Sequence, residues 1–437
     1  MKTLVLAFAA ASLLSVNAQN TAMMPKTPSE SMPKTHASVI ADPLAVHHAA
    51  IVIDTHADTT QRFLDESWNF GDPLKGGSLN LESARTGNLG AQFFSIWVDP
   101  EAFKGQYAHR TLALMDAVYQ QTAKYPEQMR MAYSADDIVA AHRQHKLAAL
   151  MGVEGGHSIE DNLGLLRDYY RLGARYMTLT WANSTDWADS SGDYTDAKIP
   201  HTKEGLTEFG KDVVYEMNRL GMMVDISHVA DKTFYRTLVI SRAPVIASHS
   251  SARALCDSPR NMTDEMLRAV AVNDGVVMVN FYSAFLSQDF RNAMQAQAPE
   301  REKAINALKE KYKAEGKPID TQALDALNKE YAARIPRPPF HILIDHIDHI
   351  AKVAGVDHVG LGSDFDGVDS LPEGLDSAAD LPKITHSLMA RGYTAADCDK
   401  MLGGNLLRVF RQVEAVSHQL QSEQRPRIGE HQPGEKK

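Results

Sequence analysis

Two textures alternate along most of this chain. Short, nearly unbroken apolar runs end in polar residues, and stretches with apolar positions three and four apart follow them. Strands buried on both faces require the first texture, and helices with one covered face produce the second. The runs are Ala50 to Asp54, Leu89 to Val98, Leu147 to Val153, Arg175 to Thr180, Met222 to Ile226, Pro244 to Ser248, Gly275 to Asn280 and His358 to Gly362. Helical spacing is clearest over Arg110 to Ala123, Asn162 to Leu172, Thr207 to Leu220, Asp264 to Ala271 and Phe340 to Ala354. This alternation predicts an α/β fold, a (β/α)8 TIM-type barrel with a helical insertion before the last strand. An open doubly wound sheet would carry a glycine-rich phosphate loop after the first strand, which here ends in Asp54-Thr55-His56-Ala57-Asp58. The insertion, Gln288 to Pro339, has a Lys/Glu-rich middle from Glu300 to Glu315 that reads as a solvated helix rather than a site.

The ends differ from this pattern. Met1-Lys2-Thr3, the apolar run Leu4 to Val16 and the small residue Ala18 predict a secretory signal over residues 1–18, and hence an exported, periplasmic or secreted protein. That run is too short to span a bilayer, so no membrane span is expected. Residues 19–45 read as a linker, 46–418 as the barrel and 419–437 as a disordered polar tail. With a net charge of −10 over 437 residues and no long Lys/Arg run, there is no electrostatic footprint for nucleic acid or anionic lipid. A small molecule or peptide is the expected partner. Cys256 and Cys398 are the only cysteines, and the sequence leaves open one bridge or two thiols.

Polar residues at the strand ends carry the candidate chemistry. The first strand delivers His56 and Asp58, two apart and so on one face. Glu154 ends the third between glycines, His228 follows the fifth, His249 the sixth and Asp364 the eighth. A barrel gathers all of these at one mouth. Three imidazoles and three carboxylates suit Zn²⁺ and exceed the needs of one tetrahedral site, so two metals sharing a carboxylate fit the count. Asp366 is a weaker alternative to Asp364, and His157, His346 and His349 read as structural.

These residues, in this order, resemble the membrane (renal) dipeptidases, zinc peptidases related to the amidohydrolases. The matching segments are Ile53 to Asp58, Gly152 to Ser158, Asp225 to Val229, Ser248 to Ala252, Pro259 to Asn261, Val277 to Tyr282, Gly362 to Gly367 and Asn405 to Phe410, within a likeness over residues 49–413. The resemblance implies two Zn²⁺ per chain, with His56 and Asp58 on one, His228 and His249 on the other, and Glu154 bridging both. It implies that Asp364 handles the proton of the bridging water and that Arg260 holds the substrate's terminal carboxylate. It also implies a homodimer. The expected activity is that of an exported binuclear zinc dipeptidase acting through metal-activated water, which makes the barrel at 46–418 a metallohydrolase domain. One position departs from the pattern: the family's Thr-Leu-Thr-His is here Thr178-Leu179-Thr180-Trp181. An indole carries no positive charge, so either Asn183 supplies a donor or the substrate differs. A related amidohydrolase acting on lactams, N-acyl amino acids or esters is the alternative, with a non-catalytic metal- or peptide-binding barrel behind it.

Overall fold

The computed structural model describes residues 41–192, 203–317 and 321–427. The expected signal, the linker through residue 40 and the tail from residue 428 lie outside the described residues. The barrel strands are β1 (Val52–Ala57), β2 (Leu89–Trp97), β3 (Leu147–Glu154), β4 (Ala174–Thr178), β5 (Met223–Asp225), β6 (Ile246–Ala247), β7 (Val276–Val279) and β8 (Val359–Leu361). Each pairs in parallel with its neighbours in the chain, and β8 pairs with β1, which closes the ring. A short further strand, Met129–Met131, joins the start of β3.

Every predicted run became a strand, with one informative shift. β1 continues through His56 although Asp54, Thr55 and His56 are polar. The barrel supplies their partners: Ser363 donates its N–H and Oγ–H to Asp54 at 2.7 and 2.6 Å, and the Thr55 hydroxyl donates to the Ser248 carbonyl at 2.6 Å. A buried strand tolerates polar residues when each is satisfied in this way.

Apolar packing divides between two main clusters. One lies between the sheet and the surrounding helices, and the other includes Ile53, Phe93, Leu150, Tyr176, Ile246 and Met278, drawn from six of the strands.

A helix crosses each end of the stretch expected to form the barrel. Helix Pro43–Ala49, capped by Asp42, begins in the expected linker and continues beyond it, with His47 buried between the Gly87 carbonyl and the Thr385 hydroxyl. The last helix, Asn405–Glu423, runs past residue 418 because Leu420 is buried and Ser417 and Gln421 donate to the Arg219 carbonyl. Cys256 and Cys398 are buried, free thiols. Among the described residues, no helix is long and apolar enough to cross a membrane.

The insertion forms two helices, Gln288–Ala314 and Thr321–Ala333, on a small core of Ala284, Phe290, Met294, Ala332 and Ile335. Glu302, Lys303 and Glu310 are exposed, as expected of a solvated helix. Lys309 departs from that reading: it reaches Glu101, beyond β2, at 3.1 Å.

Candidate active site

The C-terminal strand ends bring together His56, Asp58, Glu154, His228, His249 and Asp364. Glu154 is the hub. Its Oε2 lies 3.3 Å from His56 Nε2, while its Oε1 lies 2.9 Å from His228 Nε2 and 3.5 Å from His249 Nε2. On the β1 side, His56 Nε2 is 3.6 Å from Asp58 Oδ2 and 4.0 Å from Asp364 Oδ1. Opposite, the two Nε2 atoms of His228 and His249 face each other at 2.9 Å. His56, Glu154 and His249 form one group with metal-ligand geometry, and His56, Asp58 and Asp364 form another.

The donor set fits a cation. Among the described residues, His56 Nε2 and Asp58 Oδ1 are buried without a hydrogen-bond partner. An unpaired buried polar atom costs about 1–3 kcal/mol, and a metal ion would satisfy both. Burial lowers the basicity of His228 to about 4, with the nearby Arg260 charge acting the same way. Burial and then His56 hold His249 well below the ordinary imidazole value. Both imidazoles therefore keep free lone pairs, the form that binds metal. Glu154 is held well below the usual carboxylate range; burial opposes this, and the charge of His56 together with the close approach of His228 and His249 outweighs it.

Residues behind the first rank orient it. Tyr176 on β4 places its hydroxyl 2.8 Å from His56 Nδ1 and donates to the Thr55 carbonyl at 3.0 Å. Its ring lies where a side chain at position 152 would be, which accounts for Gly152 in the Glu154 segment. Ser95 donates to Glu154 Oε2 at 3.1 Å. His249 Nδ1 meets Ser248 Oγ at 2.7 Å, and that hydroxyl lies 2.6 Å from Asp225 Oδ2. Asn280 donates to Asp364 Oδ2 at 2.8 Å. Sequence reasoning assigned no role to Tyr176, Ser95, Ser248 or Asn280. The available signal was a polar side chain inside or ending an apolar strand, which must find a partner once buried.

Asp364 combines strain with a shifted acidity. Its φ is +63° and that of His228 is +65°, left-handed values that cost non-glycine residues of order 1–3 kcal/mol and collect at functional sites. Burial pushes its carboxyl up to about 7; His56 opposes the shift, and the carboxylates of Asp58 and Glu154 add to it. Gly367 keeps this corner clear, since a Cβ there would overlap Asp58 Oδ2. Asp366 is engaged elsewhere: Thr59 Oγ1 and the Ser78 N–H both donate to it at 2.6 Å, so it is no rival to Asp364.

Arg260 stands beside His249, donating to its carbonyl at 3.1 Å and reaching Ser250 Oγ at 3.5 Å. Its Nε is buried and has no hydrogen-bond partner among the described residues. Trp181 lies at the same side, its ring 6.3 Å from that of His228 and 4.9 Å from that of Trp97. Asn183 turns its amide toward the Ser184 carbonyl at 3.5 Å, and among the described residues no hydrogen bond joins it to the ligand cluster. The remaining histidines hold backbone or surface groups: His157 the Val98 carbonyl at 2.8 Å, His346 the Leu286 carbonyl at 3.0 Å, and His349 Asp264 at 2.7 Å.

A model of the membrane dipeptidases, peptidase family M19, matches residues 41–424. Dipeptidase 3 of Mus musculus is 35% identical over 340 residues, which are 78% of this chain and 59% of that protein. The chain thus spans under two thirds of the length of the curated relatives it matches. Among solved structures, the probable dipeptidase PvdM from Pseudomonas aeruginosa shares the fold, with a TM-score of 0.70 and 24% identity over 86% of this chain and 98% of that one. A metallo peptidase from Rhodobacter sphaeroides, liganded with a phosphinate mimic of the dipeptide L-Ala-D-Ala, gives a TM-score of 0.66 and 25% identity over 83% of this chain and 99% of its own.

Proposed function

This chain belongs to the membrane dipeptidase family, M19, and from that premise we propose that it is an exported zinc dipeptidase. The observation that carries the reading is the division of one carboxylate, Glu154 Oε2 toward His56 and Oε1 toward His228 and His249. Two Zn²⁺ ions would be held by His56 and Asp58 on one side and by His228 and His249 on the other, with Glu154 shared. Bound zinc supplies a water acidified into the neutral range and polarises a carbonyl as a Lewis acid.

The chain's own residues do the rest. Asn280 holds Oδ2 of Asp364 at 2.8 Å, which leaves Oδ1 toward the cluster to take up the proton of the attacking water. A carboxyl pushed up to about 7 exchanges that proton near neutral pH and can pass it to the leaving amine. Arg260, without a carboxylate within ion-pair distance among the described residues, is free to pair with a substrate's terminal carboxylate. That requirement favours dipeptides over longer chains. The dipeptide mimic bound by the Rhodobacter sphaeroides protein supports the substrate class. Export rests on the pattern of residues 1–18 and dimer formation on the family resemblance.

The decisive experiment screens purified, zinc-loaded protein against a dipeptide library, with chelator controls and C-terminal amides. Hydrolysis of free dipeptides that stops on chelation is the expected result. Activity confined to N-acyl amino acids or lactams would instead support the second reading, which Trp181 beside His228 favours.

A further inference from the structure

Asp225 ends β5 fully buried, and its carboxylate is surrounded by donors. Oδ1 accepts the Ser227 N–H at 3.0 Å and the Ser248 N–H at 2.8 Å. Oδ2 accepts the hydroxyls of Ser248, at 2.6 Å, and of Thr178. Ser227 in turn takes the His249 N–H on its Oγ at 3.0 Å. One carboxylate thus ties the end of β4 to the two segments that carry His228 and His249. Asp54 grips the end of β8 in the same manner, through the N–H and hydroxyl of Ser363, but the residue after Ser363 is Asp364, which takes its hydrogen bond from Asn280. At β5 the grip extends to an imidazole, because Ser248 Oγ also lies 2.7 Å from His249 Nδ1.

A count of protons gives each of these bonds its direction. The Ser248 hydroxyl has one proton. Given to His249 Nδ1, it would leave two bare oxygens 2.6 Å apart, those of Ser248 and Asp225. Given to Asp225, it leaves the Oγ lone pairs to accept from His249 Nδ1, and every group is satisfied. Ser227 Oγ, the other oxygen in reach of that proton, stands farther off at 3.5 Å. The neutral His249 ring therefore carries its proton on Nδ1 and keeps Nε2 bare, 3.5 Å from Glu154 Oε1. A bare nitrogen beside a carboxylate is a place for a cation that both can ligate. At His56, the Tyr176 hydroxyl commits its proton to the Thr55 carbonyl and by the same count accepts from Nδ1.

We propose that Asp225 is a positioning residue that acts through the Ser248 hydroxyl to fix His249 in the tautomer whose Nε2 can bind zinc. The inference rests on the zinc reading above and adds to it a residue one hydroxyl removed from the ligand. It also singles out an inversion. Asp225→Asn keeps an oxygen for the two backbone N–H groups, which cannot turn away, and so sets its amide nitrogen against the two hydroxyls. Ser248 Oγ then accepts from that nitrogen and turns its own proton onto His249 Nδ1, which moves the ring's proton to Nε2 and blocks it. Ser248→Ala only frees the ring to take either form.

The test measures zinc affinity by competition with a chelator in the parent, Asp225→Asn, Ser248→Ala and the double variant, with Tm and the visible spectrum of the cobalt-loaded protein recorded for each. Ser248→Ala should weaken the looser zinc about tenfold and Asp225→Asn about a hundredfold. The double variant should return to the affinity of Ser248→Ala, and its cobalt bands to those of that variant, because the hydroxyl that blocks the ring is gone. Losses that add in the double variant, or a lowered Tm with zinc affinity unchanged, would overturn the inference and leave Asp225 a tie between strands. Should Asp225→Asn fail to fold, Ser248→Ala decides: zinc affinity equal to the parent's would overturn it. A parent that binds no zinc would instead overturn the zinc reading, and this one with it.

Discussion

On the β1 side of the mouth, His56 is fully buried and held from behind by the Tyr176 hydroxyl at 2.8 Å. On the β5 side, His228 is only partly buried, its Nδ1 has no hydrogen-bond partner among the described residues, and it takes its place from a left-handed backbone and the neighbouring Trp181 ring. His249 is intermediate, braced by Ser248 and Asp225. One half of the cluster is thus set by the barrel interior, where packing permits little adjustment. The other half is set by loops, and Trp181, the residue that departs from the family pattern, belongs to it. On the proposed reading, such a division would let substrate preference change without disturbing the better-braced candidate ligands.

Glu154→Gln offers the harshest test, because Glu154 belongs to both halves. Zinc should be lost from both sites, whereas His56→Ala should spare part of the His228 and His249 site. Elemental analysis that finds the same single-site loss in both variants would remove the case for a shared carboxylate. Asp364→Asn should keep its zinc and lose about 10²–10⁴-fold in kcat, since the amide preserves the shape and takes up no proton. Near-normal turnover with metal intact would place the base elsewhere.

Tyr176→Phe probes the braced half directly. Losing the hydroxyl behind a ligand histidine should weaken zinc binding or activity about 10–100-fold, measured by competition with a chelator. An unchanged affinity would mean that His56 needs no brace, and the contrast between the halves would fall. Trp181→His probes the adaptable half and should act on substrate range more than on metal, raising kcat or widening the dipeptide panel by adding a donor near the developing oxyanion. Identical kcat and KM across small and aromatic dipeptides would mean that this position does not shape specificity.

At neutral pH the smallest effect concerns His346, beneath the loop that carries Arg260. Its Nδ1 accepts the Ala252 N–H at 3.1 Å and its Nε2 donates to the Leu286 carbonyl, an arrangement that only the neutral ring satisfies. Burial lowers its basicity to about 4. The unfolded chain therefore binds the proton first, and stability is complete above about 6.5 and falls with pH until about 4, by roughly 3 kcal/mol in all. Urea midpoints across that range should fall less steeply for His346→Gln than for the parent.

The barrel and the candidate ligand residues were legible in the sequence because both follow local rules. Continuous apolar runs mark doubly buried strands, and polar residues placed just after such runs must converge once the strands close into a ring. That is why His56, Glu154, His249 and Asp364 could be named before their distances were known. The dismissal of Asp366 required tertiary structure, since Thr59 and Ser78 claim it across the fold. Tyr176 and Asn280 gained their roles only when closure set β4 behind His56 and β7 beside Asp364. Amphipathic spacing identified the insertion as helical and its charges as solvated. Its course over the opposite rim depended on contacts more than a hundred residues apart in the chain, such as Lys309 with Glu101 and Gln322 with Asp65. Local spacing reports which face of an element is buried; which distant group meets that face is decided only when the whole chain has packed.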